Sequence, residues 1–422
     1  MRLTSYPLEQ ALGMDYYASD TPGIGGRLRT VPEDFTVEEI PPVTGDDGPF
    51  LVLRLTKKDW DQQRALREIA RRLGISYRKI GFAGTKDKHA VTTQLISISG
   101  ISPADIERVQ LRDIRLEVVG RAHSPITLGS HVANRFCITI REVGKDGLAG
   151  IVAQVSEVCR KAVPNYFGIQ RFGVIRPITH TVGKHLLRTD YEGAALCYIG
   201  EAFPGEQEEV RAARSSFLQT RDALAAIREF PLPLAYERSM LHHLANHPGD
   251  YRGALAILPP KILSLFVSAY QSWLFNQALS ARIKDGGTLT DPLPGDRLLF
   301  ENGREDRVTD RNMENARLQV QRGRCRIALR MPGCSPSGPE YGDRDTMALL
   351  LREDGIREED FCSVRELVHT RFEGAARPIS LSTEVSAIAG EDVVRLAFSL
   401  PPGQYATTIC REYMKADPLM MI

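Results

Sequence analysis

Strand-like segments at both ends of this chain, with a long helical stretch between them, restrict its fold more than any other feature. Near the amino end "FTVEEI" alternates apolar and polar residues and "FLVLRL" is rich in β-formers, with the turn-forming "PPVTGDDGP" between them. "TTQLISISG", "RLEVVG" and "NRFCITIREVG" read as further strands, and a helix is expected from roughly Leu148 to Ala162. Strands and helices mix without regular βαβ alternation, which favours an α+β fold on a mixed or antiparallel sheet. From about 210 to 283 the pattern is mostly helical and ends in "PPKILSLFVSAYQSWLFNQALSARI", where Pro260 suits a first helical turn. The chain then returns to strands, "RPISLSTEV" and "VVRLAFSL", a "PPGQ" turn and the short helix "YATTICREYMK". Economy has these late strands complete the first sheet. That divides the chain into a first domain at 1–172, an inserted domain at 173–370 and a completing segment at 371–422.

With 42% hydrophobic and 25% charged residues, 422 residues can bury the cores of two or three domains. A net charge of +1 excludes a wholly basic nucleic-acid coat and leaves local patches to be read one by one. One lies in "DWDQQRALREIARRLG": Leu66, Ile69, Ala70 and Leu73 fall at helical spacing, Asp59 or Asp61 can cap the start, and Gly74 can close the end. Its other face carries Arg64, Arg67, Arg71 and Arg72, with Arg78, Lys79, Lys86 and Lys88 following, and only Glu68 and Asp87 oppose them. Such a run is either a solvated face or a footprint for a phosphate backbone. Further on, Asn302-Gly303 between short apolar runs signals a hairpin, and "MPGCSPSGPEYGD" a long loop. The seven cysteines are scattered, odd in number and never spaced C-x-x-C, so reduced thiols in a cytoplasmic protein are expected. No run of about 20 apolar residues is present to span a bilayer, and no membrane partner is expected.

Several chemistries find no support. "GFAGTK" has the wrong spacing for a nucleotide-binding loop, and neither H-E-x-x-H nor G-x-S-x-G occurs. His242 and His243 are adjacent, so on a helix they diverge by about 100° and do not share a metal. The stretch "GFAGTKDKHAVTTQ" is different. Asp87 is either a surface acid paired with Lys86 or Lys88, or a carboxylate held for reaction, on a loop whose glycines Gly81 and Gly84 permit close approach and whose strand gives rigid support. Local sequence leaves both open.

"AGTKDKHAVTTQ" resembles the catalytic loop of the TruD family of tRNA pseudouridine synthases. "LRTVPEDFTVEEI", "LGSHVANRFCITIREV", "VPNYFGIQRFG", "AYQSWLFNQALSAR" and "RLAFSLPPGQYATTICREY" match the same family in order, across residues 28 to 413. The resemblance implies a pseudouridine synthase-like sheet flanked by helices, with a mostly helical inserted second domain. It also implies isomerisation of a uridine in tRNA, at position thirteen, by a monomer that needs no cofactor or metal.

The family's catalytic aspartate maps onto Asp87, which could attack C6 of the ring or C1′ of the ribose, or act as a base. Arg29 in "RLRTVPEDF" matches the place where relatives carry a basic residue at the site, and a fixed cation favours an ionised carboxylate. The family's N-x-F motif maps onto Asn134 and Phe136, which share a strand face. Phe136 is expected to stack on the flipped base and Asn134 to hydrogen-bond within the site. Relatives often have glycine where this chain has Ala133, which would be strained if the loop needed a positive φ. Lys86 and Lys88 are candidates for RNA phosphate, with Lys86 expected to point outward. Asn165, Gln170 and Arg171 are candidates for RNA contact or for bracing the loop, with Tyr166, Phe167 and Phe172 as core. Glu38 and Arg411 are candidates for support around the site. Two domains flanking a cleft would grip tRNA by shape and backbone charge. The rival reading is an RNA-binding or RNA-folding protein on the same scaffold, which would not require Asp87. A carboxylate glycosidase would need a second acid that the sequence does not mark.

Overall fold

The computed structural model describes residues 1–41, 47–144, 146–334 and 345–421. The chain divides into two compact units, one of Met1–Arg2, Tyr17–Val163 and Leu381–Ile422, the other of Leu3–Tyr16 and Pro164–Ser380.

The first unit is built on a mixed sheet with nine strands among the described residues. Its elements are β1 (Gly25–Arg27), β2 (Phe35–Ile40), β3 (Phe50–Lys58), α1 (Gln62–Leu73), β4 (Ile80–Phe82), β5 (Val91–Ser99), β6 (Ile114–Ala122), β7 (Ala133–Val143), α2 (Leu148–Lys161), β8 (Ser386–Ala389), β9 (Val393–Leu400) and α3 (Ala406–Met414). The sheet runs β8-β9-β7-β2-β5-β3-β6, with β1 paired to β7 and β4 to β5. Among its described strands only β2 and β5 pair in parallel. The expected α+β class with a mixed sheet is therefore found.

Alternation on β3 puts Leu51, Leu53 and Leu55 against Leu66, Ile69 and Ala70 of α1 and Ile96 and Ile98 of β5. Burying each of these leucine and isoleucine side chains stabilises the fold by about 1.5–3 kcal/mol. The α1 ends follow sequence chemistry: the Asp61 carboxylate accepts from Arg64 N–H at 2.8 Å, and Gly74 closes the helix in the left-handed region at φ 66°. A second cluster joins Phe35, Val37, Phe136, Ile138 and Phe398 to Val152, Val155 and Cys159 of α2 and Ile409 and Tyr413 of α3.

The late strands divide between the two units. β9 lies along β7 from Val393↔Arg141 to Leu400↔Asn134, as economy suggested. Arg377 and Pro378 of "RPISLSTEV" instead belong to strand Ala375–Pro378, which pairs with Cys325–Met331 in the second unit. Alternation identifies a strand and leaves its partner to tertiary packing.

In the second unit, helices run in succession from Thr179 to Lys284. Gly183 lets two of them meet closely, since a Cβ there would lie 2.1 Å from the Phe266 carbonyl oxygen. The 25-residue helix Pro260–Lys284 is buried on most sides. Its internal Asn276 donates to the Leu12 and Phe167 carbonyls and accepts from Phe167 N–H, all within 3.0 Å. The Asn302-Gly303 hairpin forms between Arg297–Phe300 and Glu305–Arg307. The expected "MPGCSPSGPEYGD" loop lies outside the described residues from 335 onward.

One cysteine expectation is overturned, because Cys334 and Cys362 form a disulfide while the other five are free thiols. The two are 28 residues apart, so only the folded chain, and no local spacing, brings them together. No helix of the described residues is long and apolar enough to cross a membrane.

Candidate active site

Asp87 stands on the loop between β4 and β5, and buried polar side chains hold that loop from behind. The Lys57 ammonium donates to the Asp87 backbone carbonyl at 2.6 Å and to the Trp60 carbonyl at 2.8 Å. Gln62, buried at the start of α1, donates to the Gly84 carbonyl at 3.0 Å and accepts from Lys86 N–H at 2.5 Å. Lys86 itself turns inward and pairs with Glu39 at 2.7 Å. The outward course expected for Lys86 is thus corrected: only 8% of the residue is exposed, and a buried acid claims its charge. That acid is Glu39, on the buried alternation of β2 with Phe35 and Val37, while Glu38 is exposed. A neighbouring loop braces the stem, with Gly129 N–H donating to the Ala83 carbonyl at 2.7 Å. Gly81 is required for this approach, since a Cβ there would lie 2.4 Å from the Ile126 carbonyl oxygen.

Against this fixed backbone the Asp87 carboxylate is half exposed, its side chain at 51%, and it meets one cation. Arg29 donates from Nη2 to Asp87 Oδ2 at 3.0 Å. The Arg29 side chain is 12% exposed and its guanidinium lies 4.3 Å over the Phe35 ring, so ring and carboxylate together fix its direction. Arg29 reaches this place from the left-handed backbone region, φ 56°, which costs a non-glycine residue about 1–2 kcal/mol. Its neighbours hold it there: Leu28 N–H donates to the Met420 carbonyl at 2.9 Å, and Asp34 at the start of β2 pairs with Arg141 at 2.7 Å. Strain of this kind, held by its surroundings, is typical of functional sites.

Phe35 links the ion pair to Phe136. Their rings meet edge-on at 6.2 Å, and Phe136 stacks on Phe398 at 5.5 Å. Asn134, on the same face of β7, donates from Nδ2 to His131 Nε2 at 3.1 Å, and its buried Oδ1 has no hydrogen-bond partner among the described residues. Burial, and after it the Lys86 charge, push the His131 imidazole below its ordinary pKa. Ala133 opens β7 opposite Ile40 in strand backbone and without a positive φ, so the alanine is unstrained.

The other named residues are placed as follows. Lys88 is exposed on the Asp87 loop. Arg411, on α3, is buried with its guanidinium 4.1 Å over the Tyr17 ring. Asn165 and Arg171 belong to the second unit. There Asn165 donates to the Pro378 carbonyl and accepts from Arg377, both at 2.9 Å, and Arg171 donates to Ser272 Oγ at 3.1 Å. Among the described residues no group of three or more His, Cys, Asp or Glu could hold a metal ion.

With this geometry in hand, the profile of the tRNA pseudouridine synthase D (TruD) family matches residues 11–413. The chain belongs to that family. It is thereby an isomerase, and the family implies a tRNA substrate. A Methanococcoides burtonii protein named "Probable tRNA pseudouridine synthase D" is 39% identical over 98% of both chains. One of the same name from Archaeoglobus fulgidus is 38% identical over 97% of this chain and 100% of its own. A crystal structure from Methanosarcina mazei that carries the TruD name superposes with a TM-score of 0.84 at 36% identity, covering 99% of this chain and 100% of that one.

Sequence reading passed over Lys57, Gln62, Glu39, Phe35 and His131. Three of them carried a signal: Lys57, Gln62 and Glu39 are polar residues at positions where the alternation of β3, the stripe of α1 and the alternation of β2 call for apolar ones.

Proposed function

We propose that this protein converts the uridine at position thirteen of folded tRNA to pseudouridine, with Asp87 as the reacting carboxylate. The observation that carries the reading is the Arg29–Asp87 pair: a half-exposed carboxylate, backed by a clamped loop, held at 3.0 Å by a cation on a strained backbone. A carboxylate can add to carbon and then leave, splitting one hard exchange into two easier steps. The target base must leave its stack before its glycosidic bond is accessible. Phe136, beside Phe35, then forms part of the apolar surface for the base, and Asn134 hydrogen-bonds within the site. The enzyme works as a cytoplasmic monomer without a cofactor.

The test is pseudouridine mapping of tRNA treated with wild type and with Asp87→Asn. Expected is loss of the modification at position thirteen with tRNA binding retained. An unchanged yield in the variant would falsify the role of Asp87, and modification only at another position would remove the proposed target.

A further inference from the structure

β3 presents Leu51, Leu53 and Leu55 to one apolar cluster, and the next residue on that alternation is Lys57. Only 1% of Lys57 is exposed. An ammonium in that position is costly unless its hydrogens find acceptors, and here the acceptors are two main-chain carbonyls, Trp60 and Asp87. One of them is the carbonyl of the candidate catalytic residue itself. We propose that Lys57 is a positioning residue of the isomerase: its charged form fixes the Asp87 backbone, and loss of that charge sets the alkaline limit of the reaction. This rests on Asp87 being the reacting carboxylate.

The surroundings support a charge that can be lost. Desolvation lowers the Lys57 pKa to about 8, with Asp87, Asp61 and Asp59 opposing the shift and Lys86 reinforcing it. The residues paired with Lys57 across the sheet, Thr92 on β5 and Ile114 on β6, are uncharged, and so is Gln62, which heads α1. Deprotonation turns two charge-assisted hydrogen bonds into neutral ones of roughly half the strength and removes a positive charge acting on Asp87. Stability moves the other way. The folded value lies below the ordinary 10.5, so between those two pH values the unfolded chain binds more protons, and this group's contribution to stability rises with pH. An alkaline loss of activity set by Lys57 is therefore separable from unfolding.

The experiment measures single-turnover pseudouridine formation on a tRNA transcript between about pH 6 and about pH 10, beside tRNA affinity and thermal stability. Wild type is expected to lose rate above pH about 8 while affinity and melting temperature hold. Lys57→Arg stays charged throughout and moves that limb to higher pH. Lys57→Met has no charge to lose, so it lowers the rate about a hundredfold below pH about 8 with affinity unchanged, as a small misplacement of a reacting group does, and the gap to wild type narrows above that pH. A wild-type rate that stays level through about pH 9 overturns the proposal, as does a Lys57→Arg profile that overlays wild type. If the methionine variant does not fold, those two profiles still decide. Full activity of Asp87→Asn would instead remove the underlying reading, whatever Lys57 does.

Discussion

Arg29 in the first unit lays its guanidinium 4.3 Å over the Phe35 ring and gives an Nη2 hydrogen to Asp87 at 3.0 Å; Arg377 in the second lies 3.9 Å over Phe167 and gives one to Asn165 Oδ1 at 2.9 Å. The construction is similar, an arginine aimed by an aromatic face at the oxygens of one residue, although Arg377 also reaches the Asn165 backbone carbonyl at 3.3 Å. The oxygens differ. Asn165 is neutral and buried, and its other amide end is spent on the Pro378 carbonyl, so the second arrangement is closed. Asp87 is charged and half exposed, so the first keeps a reactive group open to an incoming molecule. The backbones differ too, since Arg377 sits in strand Ala375–Pro378 while Arg29 holds a left-handed φ. An arginine on a ring is thus a holder, and what it holds decides between scaffold and site.

The largest effect expected from breaking this comparison is at Arg29. Arg29→Ala should lower turnover about 10- to 150-fold, the worth of a hydrogen bond to a charged group, with tRNA affinity changing less. Arg29→Gly should lose as much turnover yet be more stable than the alanine variant by about 1 kcal/mol, because glycine adopts the left-handed backbone freely. Equal melting temperatures for the two variants would show that the strain at Arg29 is not real.

At the closed arginine the expectation reverses. Asn165→Ala removes the donor to the Pro378 carbonyl and one acceptor of Arg377, and should cost about 1–3 kcal/mol in chemical denaturation while the folded enzyme turns over normally. A rate loss larger than the stability loss would move Asn165 from scaffold to site.

Phe136 lies between the two cases, since it is buried against Phe35 and Phe398 and also neighbours the Arg29 ion pair. Phe136→Leu keeps an apolar side chain and removes the ring. Stacking on a base is worth about 1–3 kcal/mol, and with Phe398 already on one side the lower end is expected, a drop of about fivefold in turnover with affinity unchanged. Equal turnover would return Phe136 to the core alone.

Much of this was legible because single residues advertise local structure. Asp61 and Gly74 bracket α1, Asn302-Gly303 makes its hairpin, and β7 shows its period of two. Asp87, Arg29, Asn134 and Phe136 came from resemblance, and the structure places all four in the first unit. What escaped depended on tertiary partners. Lys86 reads as a surface charge until Glu39 is found opposite it, the Cys334–Cys362 bridge has no local spacing, and Ala375–Pro378 carries no mark of the sheet it joins. Lys57 was the missed opportunity, because a lysine in register with Leu51, Leu53 and Leu55 has no solvated place to go.

The smallest effect separates two arginines on one helix face. Arg67 is exposed, with Tyr77 as its ring neighbour at 6.0 Å, whereas Arg71 and Arg72 share the Glu68 carboxylate at 2.6 and 3.1 Å. Those hydrogen bonds hold the Glu68 carboxyl down at about 2, so the acid stays ionised at any working pH and offsets part of the neighbouring charge. If this face follows a phosphate backbone, Arg67→Ala should reduce the slope of log affinity against log salt by about 0.7–0.9, and Arg71→Ala by less. Glu68→Gln should act oppositely, releasing both arginines and steepening the slope. Equal slopes for all three variants and wild type would make the face a solvated one, leaving tRNA to be gripped elsewhere.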